Sequence, residues 1–353
     1  VTVSTASAAE IAVPTACVGG FFESHEPDGA ADGRSLLEAW TGGRPFAAFA
    51  NARSAFAGLA AAFPQAGVWL PAFLCDNLVD VAYAGRTRFY PVNEGFEPDL
   101  RSVEAEARGG DLVLVAAYFG LPLAGATRAL VWRRGDLRIV EDRAQALDAG
   151  PGVGGGWRLH SPRKLLGVAD GGLLVAMTEG AILPKPGAPA NEAALWAAPI
   201  MRHEDPSGRR NAAWHAANQA KEAGMAVTAE AMTGRSLSIL SRTSMASLAG
   251  PRMRNWGVLD QRLRAWSALP PNPAAAPLGY VLHLEPGLRD GLLHALHAER
   301  IFAAVHWPRI AAPEAGFPRE AGWTRELITL PCDHRYGAAE MERLADLVVD
   351  FLR

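Results

Sequence analysis

Short apolar runs recur along the first half of the chain, the first five separated by helix-length segments. Residues 46–49, 68–70, 88–92, 112–117, 137–141 and 173–177 read as buried strands. Between them, 55–63, 74–84, 98–107 and 126–134 have helical spacing of apolar positions, the first stopping at Pro64. Run 112–117, Leu-Val-Leu-Val-Ala-Ala, carries no polar residue, so both its faces must be covered. Strands alternating with helices at this rhythm predict an α/β fold with a largely parallel sheet.

From about 187 to 265 the pattern turns helical and alanine-rich, with Trp196, Trp214 and Trp256 as large apolar anchors. Pro270-Pro-Asn-Pro273 and three alanines then read as a linker. Beyond it, 279–284, 302–307 and 327–330 read as strands and 287–298 and 338–352 as helices, a small α+β unit. The expected organisation is an N-terminal arm over 1–44, a large α/β domain with a helical middle over 45–265, and a small C-terminal domain over 277–353.

One stretch carries the chemistry. Strand 137–141 ends in Glu141-Asp142, followed by Gln145; after a glycine-rich connector come Ser161-Pro-Arg-Lys164 and Asp170-Gly-Gly172. Of the 34 lysines and arginines, only Lys164, Lys185 and Lys221 are lysine. Arginine replaces lysine as a solvated cation, but its guanidinium stays protonated and does not attack a carbonyl carbon. Lys185 lies between two prolines and Lys221 in a polar helical run, and both read as surface charge. Lys164 runs into a buried strand. Pyridoxal phosphate needs a lysine amine, an acid facing its ring nitrogen, donors for its phosphate and a surface against its ring. Asp142, at the carboxyl end of a strand, suits the acid, though alone it reads as an ordinary cap. Gln145 is placed to reach the ring's phenolic oxygen. The Ser161 hydroxyl, three residues before the lysine, is placed to reach the phosphate.

The order Ile-Val-Glu-Asp-x-Ala-Gln, Ser-Pro-Arg-Lys, Asp-Gly-Gly resembles the DegT/StrS-type aminotransferases. The resemblance implies a fold type I pyridoxal-phosphate enzyme, with Lys164 as the Schiff-base lysine and Asp142 as partner of the ring nitrogen. It implies a small-molecule amino donor such as glutamate, a keto acceptor of the nucleotide-linked sugar kind, and a homodimer with the site at its interface. The sequence departs from the family in four places. Leu159 stands where relatives carry a serine. Ala52-Arg53-Ser54 replaces a Gly-Thr turn that cradles the phosphate, leaving backbone amides and the Ser54 hydroxyl, or plain capping by Asn51 or Ser54. Cys75 aligns with the ring-stacking aromatic, and Phe73 lies two residues before it. Gly234-Arg-Ser-Leu-Ser is the nearest analogue of an Asn-Tyr-Arg-Met turn. Another pyridoxal-phosphate reaction, or a catalytically silent binding protein, remains open on the same scaffold.

Other classes fit less well. A net charge of −3 without blocks of like charge argues against a nucleic-acid surface. Cys17, Cys75 and Cys332 have neither metal nor disulfide spacing, which fits a reducing cytoplasm. No signal-peptide pattern opens the sequence, and run 112–127 is broken by glycine and proline, which predicts no membrane span. Gly150-Pro-Gly152-Val-Gly-Gly155 matches G-x-G-x-x-G but opens no helix, so it reads as a loop.

Overall fold

The computed structural model describes residues 17–29, 33–80, 83–123, 125–148 and 150–353. The first sixteen residues of the expected arm therefore lie outside the described residues.

The chain opens with β1 (Val18–Gly19), α1 (Leu36–Thr41), β2 (Phe46–Phe49), α2 (Ala52–Ala62), β3 (Val68–Pro71), β4 (Thr87–Tyr90), α3 (Arg101–Glu106), β5 (Leu112–Ala116), α4 (Gly125–Arg133), β6 (Arg138–Asp142), β7 (Trp157–His160) and β8 (Gly172–Ala176). Seven of these strands form one sheet in the order β2-β8-β7-β6-β5-β3-β4. β7, β6, β5, β3 and β4 run parallel, whereas β8 is antiparallel to both its neighbours. Helices cover both faces, which is why β5 and β8 are apolar without interruption. Alternation along β5 divides its side chains: Leu112, Leu114 and Ala116 join one core, Val113 and Val115 the other.

Four helices follow: α5 (Glu192–His203), α6 (Asn211–Gly224), α7 (Gly234–Arg242) and α8 (Met245–Leu263). The C-terminal unit holds β9 (Tyr280–His283), α9 (Leu288–Ala298), β10 (Ile301–Phe302), α10 (Pro318–Glu326), β11 (Leu327–Leu330) and α11 (Ala338–Leu352). β9 and β11 pair antiparallel, and β1 adds to β10 in parallel, so the arm is tied to the small unit. Trp256, Leu259 and Leu263 of α8 share a core with Leu344 and Val348 of α11. Among the described residues, no helix is long and apolar enough to cross a membrane.

Two expectations about elements need correction, and one strand, β7, has no counterpart among them. The helix expected over 74–84 is a 3-10 turn at Asp76–Leu78 and a second at Ala84–Arg86. Asp76 accepts the N–H of Asn77 at 2.9 Å, a local bond that competes with a helical one, while Leu78 and Tyr83 are buried. The strand expected over 302–307 is only Ile301–Phe302, and then the chain turns toward the sheet edge. β7 was not anticipated, because a four-residue strand reading Trp-Arg-Leu-His carries too little pattern.

Candidate active site

Three neighbouring strands end level with one another. Ala116 of β5 is the register partner of Asp142 of β6, and Asp142 that of Leu159 of β7. The Asp142 carbonyl accepts the N–H of Ala117 at 2.9 Å, and the Leu159 carbonyl accepts that of Arg143 at 2.8 Å. The loops 117–120, 143–147 and 160–164 thus leave one edge together, at the carboxyl ends where open α/β sheets hold ligands.

After β7 the chain makes a single 3-10 turn, Pro162–Lys164, with proline at its first position, where the missing N–H costs nothing. The turn delivers Lys164 to a cavity of about 770 Å³ between the sheet edge, α6, the arm and the small unit. Phe22, Trp214, Phe302, His306 and Arg252 line it with Lys164. The Lys164 Nζ lies 5.9 Å from the centre of the Trp307 ring. His306, beside it, holds the Thr329 hydroxyl at 3.0 Å through Nδ1; burial, with the Lys164 charge, pushes its pKa down to about 3.

Asp142 stands behind the lysine. The residue is half-buried, and burial of the carboxyl group dominates and raises its pKa. The charge of Lys164 and the N–H of Ala144, 2.8 Å from Oδ1, pull it back down. The Lys164 charge is thus close enough to act on the Asp142 carboxyl. Glu141, one residue earlier, points to the opposite face and is clamped by Arg143 at 2.7 Å and Arg158 at 3.2 Å.

Gln145 is buried beside the turn that follows β5. Its Oε1 accepts the N–H of Phe119 at 2.8 Å, and its Nε2 is buried with no partner among the described residues. Ser161 is buried at the start of the lysine turn. At the other end of the crevice, Asn51 caps α2 by accepting the N–H of Ser54 at 2.9 Å. Ala52 and Arg53, the first helical residues, have N–H groups with no acceptor inside the helix. Arg53 donates to the Met225 carbonyl at 2.7 Å, and the Ser54 hydroxyl accepts the N–H of Thr228 at 3.1 Å. The Asp-Gly-Gly sequence has a packing reason here. A Cβ on Gly172 would lie 2.2 Å from the Asn51 carbonyl carbon, so only glycine lets β8 pass beneath the start of α2.

The two residues considered for ring stacking lie in the segment after β3. Phe73 is fully buried in an aromatic cluster, 5.1 Å from the Trp307 ring, 5.0 Å from Trp323 and 5.7 Å from Tyr118. Cys75 is half-buried and forms an isolated bridge with Ile310. An aromatic neighbour of Lys164 is Trp307, the last residue of the strand expected over 302–307. Lys221 needs correction: it is no surface charge, since its side chain is 8% exposed. The scarcity that marked Lys164 marks Lys221 equally, and that signal was available in the sequence.

No family model and no curated protein matches the sequence. Solved structures do match. A DegT DnrJ EryC1 StrS aminotransferase from Brucella abortus is 16% identical, with 89% of this chain and 88% of that chain covered at a TM-score of 0.60. DesV of S. venezuelae, solved in complex with a ketimine intermediate, is 19% identical over 87% of this chain and 84% of its own, again at 0.60. The putative sugar aminotransferase Spr1654 from Streptococcus pneumoniae, in its PMP form, is 14% identical over 95% and 93%, at 0.61. Identities this low speak to architecture rather than activity, and the fold of this chain is similar to theirs.

Proposed function

We propose that the protein is a pyridoxal-phosphate-dependent aminotransferase that moves an amino group from a donor such as glutamate to a keto acceptor. The observation that carries this reading is the juxtaposition of Lys164 and Asp142 at level strand ends, with the lysine opening into a cavity of substrate size. The residues present suit the cofactor. Gln145 has a buried donor awaiting an acceptor, as a phenolic oxygen would be. Asp142 has an elevated pKa that a cationic ring nitrogen would relieve. The first turn of α2 offers N–H groups to an anion.

Bound there, pyridoxal phosphate would supply an electron sink that lets a proton leave the carbon next to a substrate amine. Lys164 would hold the cofactor, then take that proton at Nζ and return it to the carbon on the other side of the shared nitrogen. Asp142 would keep a proton on the ring nitrogen through its carboxylate. His306, neutral beside Lys164, would orient the substrate without adding a competing cation. The cavity walls of Phe22, Trp214 and Phe302 would keep water from the reacting carbon. The acceptor class we favour is a nucleotide-linked keto sugar, since DesI, a 17% identical structural neighbour, was solved in the presence of its TDP-sugar product. We also favour a cytoplasmic homodimer, which sedimentation of the purified protein would test.

The deciding experiment is the near-ultraviolet and visible spectrum of cofactor-supplied protein, before and after borohydride, in wild type and Lys164→Ala. A reduced adduct on Lys164 in wild type alone is expected, as is conversion to the pyridoxamine form by glutamate. An adduct without that conversion would point to a lyase or dehydratase on the same scaffold. No adduct would end the enzyme reading.

A further inference from the structure

The last turn of α6 brings Lys221 to the same end of the crevice as the start of α2. Its Nζ lies 3.6 Å from Glu222 Oε1. Arg163, immediately before Lys164, donates to that same oxygen and keeps its own Nε buried with no partner among the described residues. Burial would raise the Glu222 carboxyl, but Arg163, Lys221 and Arg53 together hold it below its usual value. Burial and the Arg163 charge both lower the pKa of Lys221. Asp170 also acts on Lys221, but its oxygens already accept from Thr233 and Ser236. Two cations thus contact one carboxylate and the charge of a third, Arg53, acts on it, an arrangement with unspent positive charge. Arg163 and Lys221 are fixed, at 18% and 8% exposure, whereas Glu222 is 41% exposed at a helix end and free to turn toward solvent.

We propose that Arg163 and Lys221, with Arg53 and the first-turn amides of α2, form the seat for the cofactor's phosphate, and that Glu222 occupies the seat until phosphate displaces it. The proposal rests on the pyridoxal-phosphate reading above. It gives a reason for Leu159: a chain that binds the phosphate through two long cations has no need of a serine hydroxyl there. It also explains why Lys221 is kept, buried, in a sequence that spells nearly all its cations as arginine. A phosphate monoester dianion matches the charge, and its three oxygens can be shared between a forked guanidinium and a point-charge ammonium.

The test compares the phosphorylated and unphosphorylated cofactor on cofactor-free protein. Pyridoxal 5'-phosphate and pyridoxal are titrated separately, with affinity read from absorbance and from quenching of tryptophan fluorescence. Wild type should favour the phosphorylated form strongly. Lys221→Met and Arg163→Met should each weaken it roughly tenfold to a hundredfold, the loss of one charge-assisted contact, and leave pyridoxal unchanged. Lys221→Arg should recover most of the loss, and Glu222→Gln should tighten binding by removing the competing anion. Equal losses for both ligands would mean a structural role and overturn the seat, as would full affinity in both methionine variants. In those cases a borohydride-reduced adduct on Lys164 would still stand for the cofactor reading. Conversely, if wild type forms no adduct, but inorganic phosphate raises its melting temperature and fails to do so in Lys221→Met, the anion seat stands and the cofactor reading falls.

Discussion

Gln145 holds the backbone N–H of Phe119 with one end of its amide, at 2.8 Å, and buries the other end unpartnered. Phe119 has φ 53 and is followed by Gly120 at φ 87, so the turn after β5 is held in a conformation that needs an external bond. The acceptor oxygen of Gln145 is thus structural and its donor nitrogen is spare. Gln145→Glu keeps the first and deletes the second. The variant should fold, with a urea midpoint close to wild type, and bind pyridoxal phosphate about tenfold or more weakly, because a carboxylate then faces the phenolic oxygen. Gln145→Leu should lose about 1–3 kcal/mol of stability as well, from the stranded Phe119 N–H. Unchanged cofactor affinity in Gln145→Glu would place the ring elsewhere.

Phe73 offers a way to separate core from site. Its ring contacts Trp307, Trp323, Tyr118 and Phe96 and has no exposed surface. Phe73→Ala should cost about 3–5 kcal/mol in chemical denaturation, as for other large buried aromatics. Phe73→Leu should cost much less and leave the cofactor spectrum in place. Trp307→Leu should do the opposite, perturbing the absorbance of the bound cofactor more than the stability. A spectrum that shifts with Phe73→Leu and ignores Trp307→Leu would reverse the two assignments.

Much of this arrangement could be read in the sequence, and what could not had physical causes. Strands such as β5 and β8 are buried on both faces, so their composition alone announces them. The pairing of Lys164 with Asp142 was legible because one residue type is rare and the other ends a strand. β7 was missed because its residues, Trp157 to His160, are dictated by neighbours: His160 lies flat on Trp40 at 4.6 Å, a contact 120 residues away along the chain that no local pattern encodes. Segment 74–84 has apolar spacing that suits a helix, but its backbone at Cys75 bridges to Ile310 across the fold. Lys221 is not legible as buried because helix 211–224 looks polar in sequence, and its burial beside Glu222 and Arg163 is set by the tertiary fold.

Glu141 carries a second, purely structural prediction. It sits on β6 beside Asp142 but faces away, with its side chain 4% exposed between two arginines. Glu141→Gln leaves Arg143 and Arg158 facing each other without an anion. Removing one member of a buried ion pair costs about 3–5 kcal/mol, since the remaining charge keeps its desolvation penalty. A drop of that size in unfolding free energy is expected, with the cofactor spectrum of the folded fraction unaltered. A loss below about 1 kcal/mol would mean that the clamp behaves as a solvated surface pair.

The histidines set how stability responds to acid. His160 is 1% exposed, with neither ring nitrogen partnered among the described residues; burial, then the charges of Arg143 and Arg158, hold its pKa well below the usual value. Burial likewise pushes His334 to about 3, with Arg252 contributing, and His306 to about 3, with Lys164 contributing. An unfolded histidine binds its proton near pH 6.5, so below that pH the unfolded chain takes up protons that the folded protein refuses. The sign follows: these groups stabilise the fold fully above pH 6.5, and the stabilisation is lost as pH falls toward their folded values. Each contributes about 1.4 kcal/mol for every pH unit in that window. The urea midpoint should therefore fall steadily from about pH 7 to about pH 5, before the carboxylate paired with Arg335, Asp333, begins to protonate. His160→Phe keeps a ring against Trp40 and removes both the titration and the two stranded nitrogens. It should raise stability at pH 5 more than at pH 7 and shallow the slope by the share of one histidine. An unchanged slope in His160→Phe would show that the imidazole takes up its proton over the same pH range in the folded protein as in the unfolded chain.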